Sequence, residues 1–190
     1  MPTDSVLDAQ AELVRSRVLE GVAQLLSEGE ELTFARVATA AGVSERTVYR
    51  HFANRDALMA AVYSWANDRI GFAGTPPTTA ADMTAMVRQV FPGFDRVAPV
   101  VDELLASDEG RRARLAELAR RRRAAVAVVK DAAPALDRAT QRQVAAVVQV
   151  LGTAAVWQAL RDFWAMDGEE AGEAVATVIE LLLASEGVQP

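Results

Sequence analysis

Four arginines, Arg36, Arg46, Arg50 and Arg55, fall between residues 33 and 55, where the one acidic residue is Glu45. Guanidinium groups with so little opposing charge suit phosphate, because attraction depends on the local face presented and not on the sum over the chain. That sum is −6, and residues 1–72 hold ten carboxylates against seven basic groups, which taken alone argues against a polyanionic partner. His51 is the single histidine, and there is no cysteine. A Ser-His-Asp triad would have to be built on His51, and a multi-histidine or thiolate metal site has no ligands to use. Disulfides are excluded as well. No carboxylate spacing points to paired acid–base chemistry. The expectation is a binding protein and not an enzyme, with no catalytic residues, no metal and no cofactor.

The elements that must position these side chains are helices. The chain has 190 residues, of which 51% are hydrophobic and 24% charged, the composition of a globular protein. Ala, Leu, Val, Glu and Arg dominate, and no useful length alternates polar with apolar. No run reaches the roughly 18–20 apolar residues of a membrane span. The start, Met1-Pro2-Thr3-Asp4-Ser5, lacks the basic and apolar regions of a secretion signal. A cytoplasmic protein without a membrane partner is expected.

A first helix is predicted from about Asp8 to Ser27, with Val14, Val18, Val22, Leu25 and Leu26 three and four apart and Gly29 as its stop. Thr33 is placed to cap a short second helix carrying Val37, Ala38 and Ala41 on one face. Gly42 turns the chain, and Ser44 caps a third helix over about 44–51. Asn54 or Asp56 starts a fourth, with Leu58, Val62 and Trp65 among its apolar positions. Two short helices joined by a glycine turn make a helix-turn-helix, which offers its second helix to the major groove of DNA. The stretch 71–79, Gly-Phe-Ala-Gly-Thr-Pro-Pro-Thr-Thr, breaks the pattern. The fold class expected is all-α, with a helix-turn-helix DNA-binding domain at 1–72 and a second helical domain at 73–190. Further helices are predicted near 80–90, 97–106, 108–131, 137–165 and 169–185, punctuated by Pro92-Gly93, Pro99, Pro134 and Asp167-Gly168.

The string from Leu32 to Leu58 sharpens this reading. It holds Thr33, the pair Val37-Ala38, Ala41-Gly42-Val43-Ser44, Thr47-Val48-Tyr49-Arg50-His51-Phe52, and Arg55 ahead of Leu58. With the first helix, about 50 residues closely resemble the tetracycline-repressor (TetR) family of transcriptional regulators. The resemblance implies that Val37, Val43, Val48 and Phe52 lock the helices together. It implies that Arg46, Thr47 and Arg50 read base edges, an arginine pairing with guanine and the threonine methyl meeting a thymine methyl. Arg36, Ser44 and Glu45 join this DNA-facing set, Glu45 either accepting from cytosine or repelling phosphate. Thr33, Tyr49, His51 and Arg55 are implied as phosphate clamps that fix register, and Arg15 is a weaker candidate. Arg55 stands where lysine is usual in the family, and Ala35 where a longer polar reader sometimes stands. The plainer alternatives are that Thr33 only caps its helix and that Tyr49 and His51 are the exposed edge of a helix end.

The second domain carries no motif of that strength. The resemblance implies inducer binding and dimerisation there. Val144, Val147, Val148, Leu151, Ala155 and Leu160, with Val175, Val178, Ile179, Leu182 and Leu183, supply more apolar surface than one small domain face needs. A homodimer through about 137–165 and 169–185 is therefore expected, the alternative being an intrachain core. Leu115, Leu118, Arg122, Ala125 and Val129 make an inward stripe over 108–131. An inward Arg122 would need a partner, either the acidic group of a small molecule or an internal carboxylate such as Asp102. Met83, Met86, Phe91, Phe94, Trp157 and Phe163 are either ordinary core or the wall of an apolar pocket. Met86, Phe91, Asp102, Arg122 and Trp157 are thus the candidate ligand contacts for an apolar small-molecule effector. The function expected is a ligand-responsive repressor that binds a near-palindromic double-stranded DNA operator as a dimer. A regulator controlled by a protein partner, or a helical binder or enzyme keeping a relic reader, are the alternatives.

Overall fold

The computed structural model describes residues 3–72 and 74–184, and among them there are eleven helices and no strand. They are α1 (Thr3–Ser27), α2 (Phe34–Ala41), α3 (Glu45–His51), α4 (Arg55–Ile70), α5 (Ala80–Arg96), α6 (Ala98–Ala106), α7 (Asp108–Ala116), α8 (Leu118–Ala132), α9 (Arg138–Leu151), α10 (Ala154–Trp164) and α11 (Gly168–Ala184). No single helix among the described residues is long and apolar enough to cross a membrane. The all-α expectation holds.

The chain forms two compact units, and they interleave in sequence. The first gathers residues up to Ala66 together with Pro99–Ala113; the second gathers Asn67–Ala98 and residues from Arg114 onward. In the first unit α1 packs on α2, and α2 on α3. Their buried side chains, Val18, Val22, Val37, Val48, Phe52, Leu58 and Val62, recur at helical spacing on the inward faces. In the second unit α5 runs against α11, and α8 against α9. Val87, Phe91, Trp157, Ala171, Val175 and Ile179 are buried there. Phe91, Phe94 and Trp157 form an aromatic chain with successive centroids 5.5 Å apart. Asp95 ties three helices of this unit together. One carboxylate oxygen accepts the indole N–H of Trp157 at 2.7 Å, and the other accepts the backbone N–H of Gly168 at 2.6 Å.

Several helix boundaries differ from expectation, and α1 begins at Thr3 and not at Asp8. Helix α5 passes through Pro92-Gly93 and continues to Arg96. The proline forfeits one helical hydrogen bond, but Phe91 and Phe94 on either side of it are buried, and packing overrides the local break. The predicted helix 108–131 is two helices that separate at Glu117. The buried residues of α7, Gly110 and Ala113, belong to the first unit, whereas those of α8 (Ala124, Ala125, Val128 and Val129) belong to the second. One straight helix would have to serve both. The predicted helix 137–165 likewise breaks at Gly152-Thr153, where Thr153 is extended, and its halves bend by 61°. The last helix begins at Gly168, one residue early, and the predicted terminal residue 185 lies outside the described residues.

Candidate nucleic-acid interface

Helix α2 starts where the Thr33 hydroxyl accepts the backbone N–H of Arg36 at 3.3 Å. It stops at Gly42, whose φ of 63° and ψ of 38° lie in the left-handed region that costs glycine least. The N–H groups of Gly42 and Val43 return to the carbonyls of Thr39 and Ala38 and close the helix end. The turn is braced from outside as well. Arg17, a residue given no role from sequence, donates to the carbonyl of Ala41 at 2.8 Å. Two residues past Gly42, the Ser44 side chain accepts the N–H of Thr47 at 3.1 Å and opens α3. Each boundary of the hairpin thus rests on a short-range hydrogen bond that its own sequence supplies.

The phase of α3 sorts its residues. Val48 and Phe52 are four apart and almost wholly buried, together contributing about 1.5–3 kcal/mol each to holding the helix in place. Glu45, Arg46, Tyr49 and Arg50 fall on the opposite face and are exposed, with Thr47 half-buried at its edge. Among the described residues neither Arg46 nor Arg50 has an ion-pair or hydrogen-bond partner. The Tyr49 ring is stacked on Phe34 of α2 at 4.5 Å and 20°, so a side chain that is 51% exposed is nevertheless held flat. Phe34 received no role from sequence, because its partner lies on the next helix. Glu45 sits in the first turn of α3, where a carboxylate suits the helix dipole.

The remaining candidates divide. Thr33 is half-buried and caps α2. Arg36 is exposed but paired with Glu30. His51 is half-buried, and its Nε2 is enclosed with no hydrogen-bond partner among the described residues. Val43 is half-buried, so it contributes less to the lock than Val37, Val48 and Phe52. Arg15 lies with its guanidinium 4.9 Å from the centre of the Phe52 ring. Arg55 faces inward to Leu32, Glu103 and Glu109.

The ligand candidates are divided between the two units. Phe91 and Trp157 are buried and Met86 is half-buried, all in the second unit, while Asp102 belongs to the first. Arg122 is exposed, so the inward stripe through it fails; Leu115 is 42% exposed and Leu118 only half-buried. The buried face of α8 is Ala124, Ala125, Val128 and Val129, and the arginine in phase with it is Arg121, whose guanidinium burial pushes below its ordinary value. Phe163 is not a pocket wall either, being 82% exposed.

Comparison with known proteins agrees with this geometry. The tetR family of bacterial regulatory proteins matches residues 21–62, from the last two turns of α1 to the second turn of α4. No curated protein matches the chain in sequence at a significant level. The crystal structure of a transcriptional regulator from Rhodococcus sp. Rha1 superposes with a TM-score of 0.62 at 20% identity, over 95% of this chain and 99% of that one. At that identity the likeness is one of fold. The segment that matches the tetR family of bacterial regulatory proteins is thus the one that folds as a helix-turn-helix, with capped helices, a buried Val48–Phe52 seam and an outward arginine face.

Proposed function

We propose that the protein is a ligand-responsive repressor that binds a near-palindromic operator as a homodimer. The observation that carries the DNA side is the outward face of α3, where Arg46 and Arg50 stand one turn apart without partners among the described residues. In this reading Arg46, Thr47 and Arg50 meet base edges, and Glu45 sets which bases are tolerated. Ser44 and Arg36 flank them, and Thr33, Tyr49 and His51 take the adjoining phosphates, the Tyr49 ring already fixed by Phe34.

Support for a dimer comes from the second unit. Its internal core uses Val148, Val175, Ile179 and Leu183, which are buried. Val147, Val150, Phe163, Trp164, Val178 and Leu181 on α9, α10 and α11 remain 48–82% exposed. So much exposed apolar surface on neighbouring helices fits pairing with a symmetry mate. A pair of readers would then meet half-sites about 34–36 Å, or a multiple, apart. The effector is assigned to the second unit, among Met86, Phe91 and Trp157, and acts by favouring an arrangement of the dimer that does not fit the operator.

Selection of duplexes from a random pool by the purified protein tests this. Enrichment of a two-fold symmetric site is expected. Arg50→Ala should weaken that site by about 1–3 kcal/mol and relax the preference at one base pair. Enrichment of a site without symmetry would refute the dimeric reading, and no loss of affinity in Arg50→Ala would refute the assignment of α3.

A further inference from the structure

Arg55 occupies the position at which the family resemblance implies a phosphate clamp, yet its guanidinium is committed elsewhere. One terminal nitrogen donates to the carbonyl of Leu32 at 2.5 Å, and the other donates to Glu103 at 2.9 Å. The Nε lies 3.8 Å from Glu109. The neighbouring Asp56 is engaged with the opposite sign: Arg112 approaches one of its oxygens through both Nε, at 2.8 Å, and Nη2, at 2.7 Å. This pairing holds the Arg112 guanidinium above its ordinary value. Glu109 and Arg112 also face each other at 3.6 Å, closing the circuit. The first two residues of α4 are therefore gripped by α6 and α7 through charges of alternating sign.

Charge and burial argue against phosphate at this place. The circuit holds three carboxylates (Asp56, Glu103 and Glu109) and two guanidinium groups (Arg55 and Arg112), a net of one negative charge. A phosphate drawn to Arg55 would meet Glu103 and Glu109, whose side chains are only 23% and 24% exposed and so poorly screened by water. The corner that presents them is stiff. The Ser107 hydroxyl donates to the carbonyl of Glu103 at 2.8 Å and accepts the N–H of Gly110 at 3.2 Å, joining the end of α6 to the start of α7. Residues 99–113 belong to the same compact unit as the reader although they lie far from it in sequence.

We propose that Arg55 is a positioning residue of the reader and not a phosphate ligand. With Asp56, Glu103, Glu109 and Arg112 it clasps the α6–α7 corner to the start of α4, and through the Leu32 carbonyl it fixes the chain entering α2. The corner is thereby a working part of the DNA-binding unit. This rests on the DNA-binding reading above, and the test separates the two.

The full-length chain and three variants, E103Q/E109Q, R112D and D56R/R112D, are titrated with the duplex that the unmodified chain selects, across a salt series and well below their melting temperatures. Loss of one arm should cost about two- to fivefold in affinity. E103Q/E109Q and R112D should both bind more weakly with an unchanged salt slope, and D56R/R112D should recover most of what R112D lost. If E103Q/E109Q binds more tightly with a slope steeper by about one per subunit, Arg55 is a phosphate ligand held in check and the proposal is overturned. Unchanged affinity in E103Q/E109Q alongside a lower melting temperature overturns it too, since the clasp is then structural only. Should the unmodified chain select no duplex, the DNA reading has failed. The clasp then stands or falls on whether D56R/R112D regains the melting temperature lost in R112D.

Discussion

Replacing Asp95 should unfasten the second unit at one point, and the size of the effect follows from its two hydrogen bonds. Each carboxylate oxygen has its own donor: Oδ1 takes the Trp157 indole N–H at 2.7 Å, and Oδ2 takes the Gly168 backbone N–H at 2.6 Å. Trp157 is fully buried, so its N–H has no ready exchange with solvent, and the Gly168 N–H belongs to the first turn of α11. Hydrogen bonds to a charged acceptor contribute about 1.5–3 kcal/mol each. Because Asp95 itself is reached by water, the low end applies, and Asp95→Ala should cost about 3 kcal/mol. Asp95→Asn is the sharper probe. Its amide has one oxygen, so it can satisfy Trp157 or Gly168 but turns an NH2 donor toward the other. It should therefore recover roughly half of the loss despite near-identical shape. Urea unfolding followed by far-UV circular dichroism at pH 7 measures both, and melting temperatures should fall by about 6–12 °C for the alanine variant. An asparagine variant as stable as the parent, or an alanine variant within about 0.5 kcal/mol of it, would refute the claim that this carboxylate holds α5, α10 and α11 together.

Two further outcomes follow from local geometry. Gly93→Ala should destabilise by about 1–3 kcal/mol in the same unfolding assay. A Cβ at residue 93 would lie 2.7 Å from the Cα of Ile70, and backbone cannot swing aside as a side chain can. The gain in helix propensity is smaller, at about 1 kcal/mol. Asp82→Asn should lower the melting temperature at pH 7 but not at strongly acid pH. The Asp82 carboxyl is held below its ordinary value first by the Thr78 amide, then by the Thr78 hydroxyl, the Thr79 hydroxyl and the Thr79 amide. A depressed folded value means that its stabilisation is present above the unfolded value of about 3.9 and lost as the pH falls through the folded one. Parent and variant should converge there; a gap that persists in strong acid would mean that the carboxylate charge is not the cause.

The sequence made α2, its turn and α3 legible because everything that bounds them is local. Thr33 and Ser44 each accept an N–H three residues on, and Gly42 takes the one backbone conformation that stops α2. Such signals are written within a few residues of where they act. The second half of the chain is decided by partners that sequence spacing does not reveal. Asp95 meets Trp157, and Arg88 reaches Glu173 and Glu180, across separations no helical period connects. Helix α8 is a case where the break before it and its own phase together decide which arginine is buried. A stripe counted from Leu115 does not carry across the break at Glu117, and within α8 each residue is about 100° round from the next, so Arg121 is in phase with Ala124, Ala125, Val128 and Val129 where Arg122 is not. Arg122 then faces out and Arg121 turns inward.

Arg55 differs in another way, since its intrachain partners Leu32, Glu103 and Glu109 carry no signal in the motif itself. The motif located it correctly at the start of α4, and residue type alone made it a natural partner for phosphate. What distinguishes a phosphate ligand from a clasp is the charge that already surrounds it. Here that charge comes from Glu103 and Glu109, on helices in another part of the sequence. Arg46 and Arg50 carry the same guanidinium with no carboxylate engaged among the described residues, which leaves their charge available to an incoming duplex. On the proposed reading, guanidinium groups within one short segment separate into readers and fasteners by what they already hold, which tertiary contact decides and the motif does not.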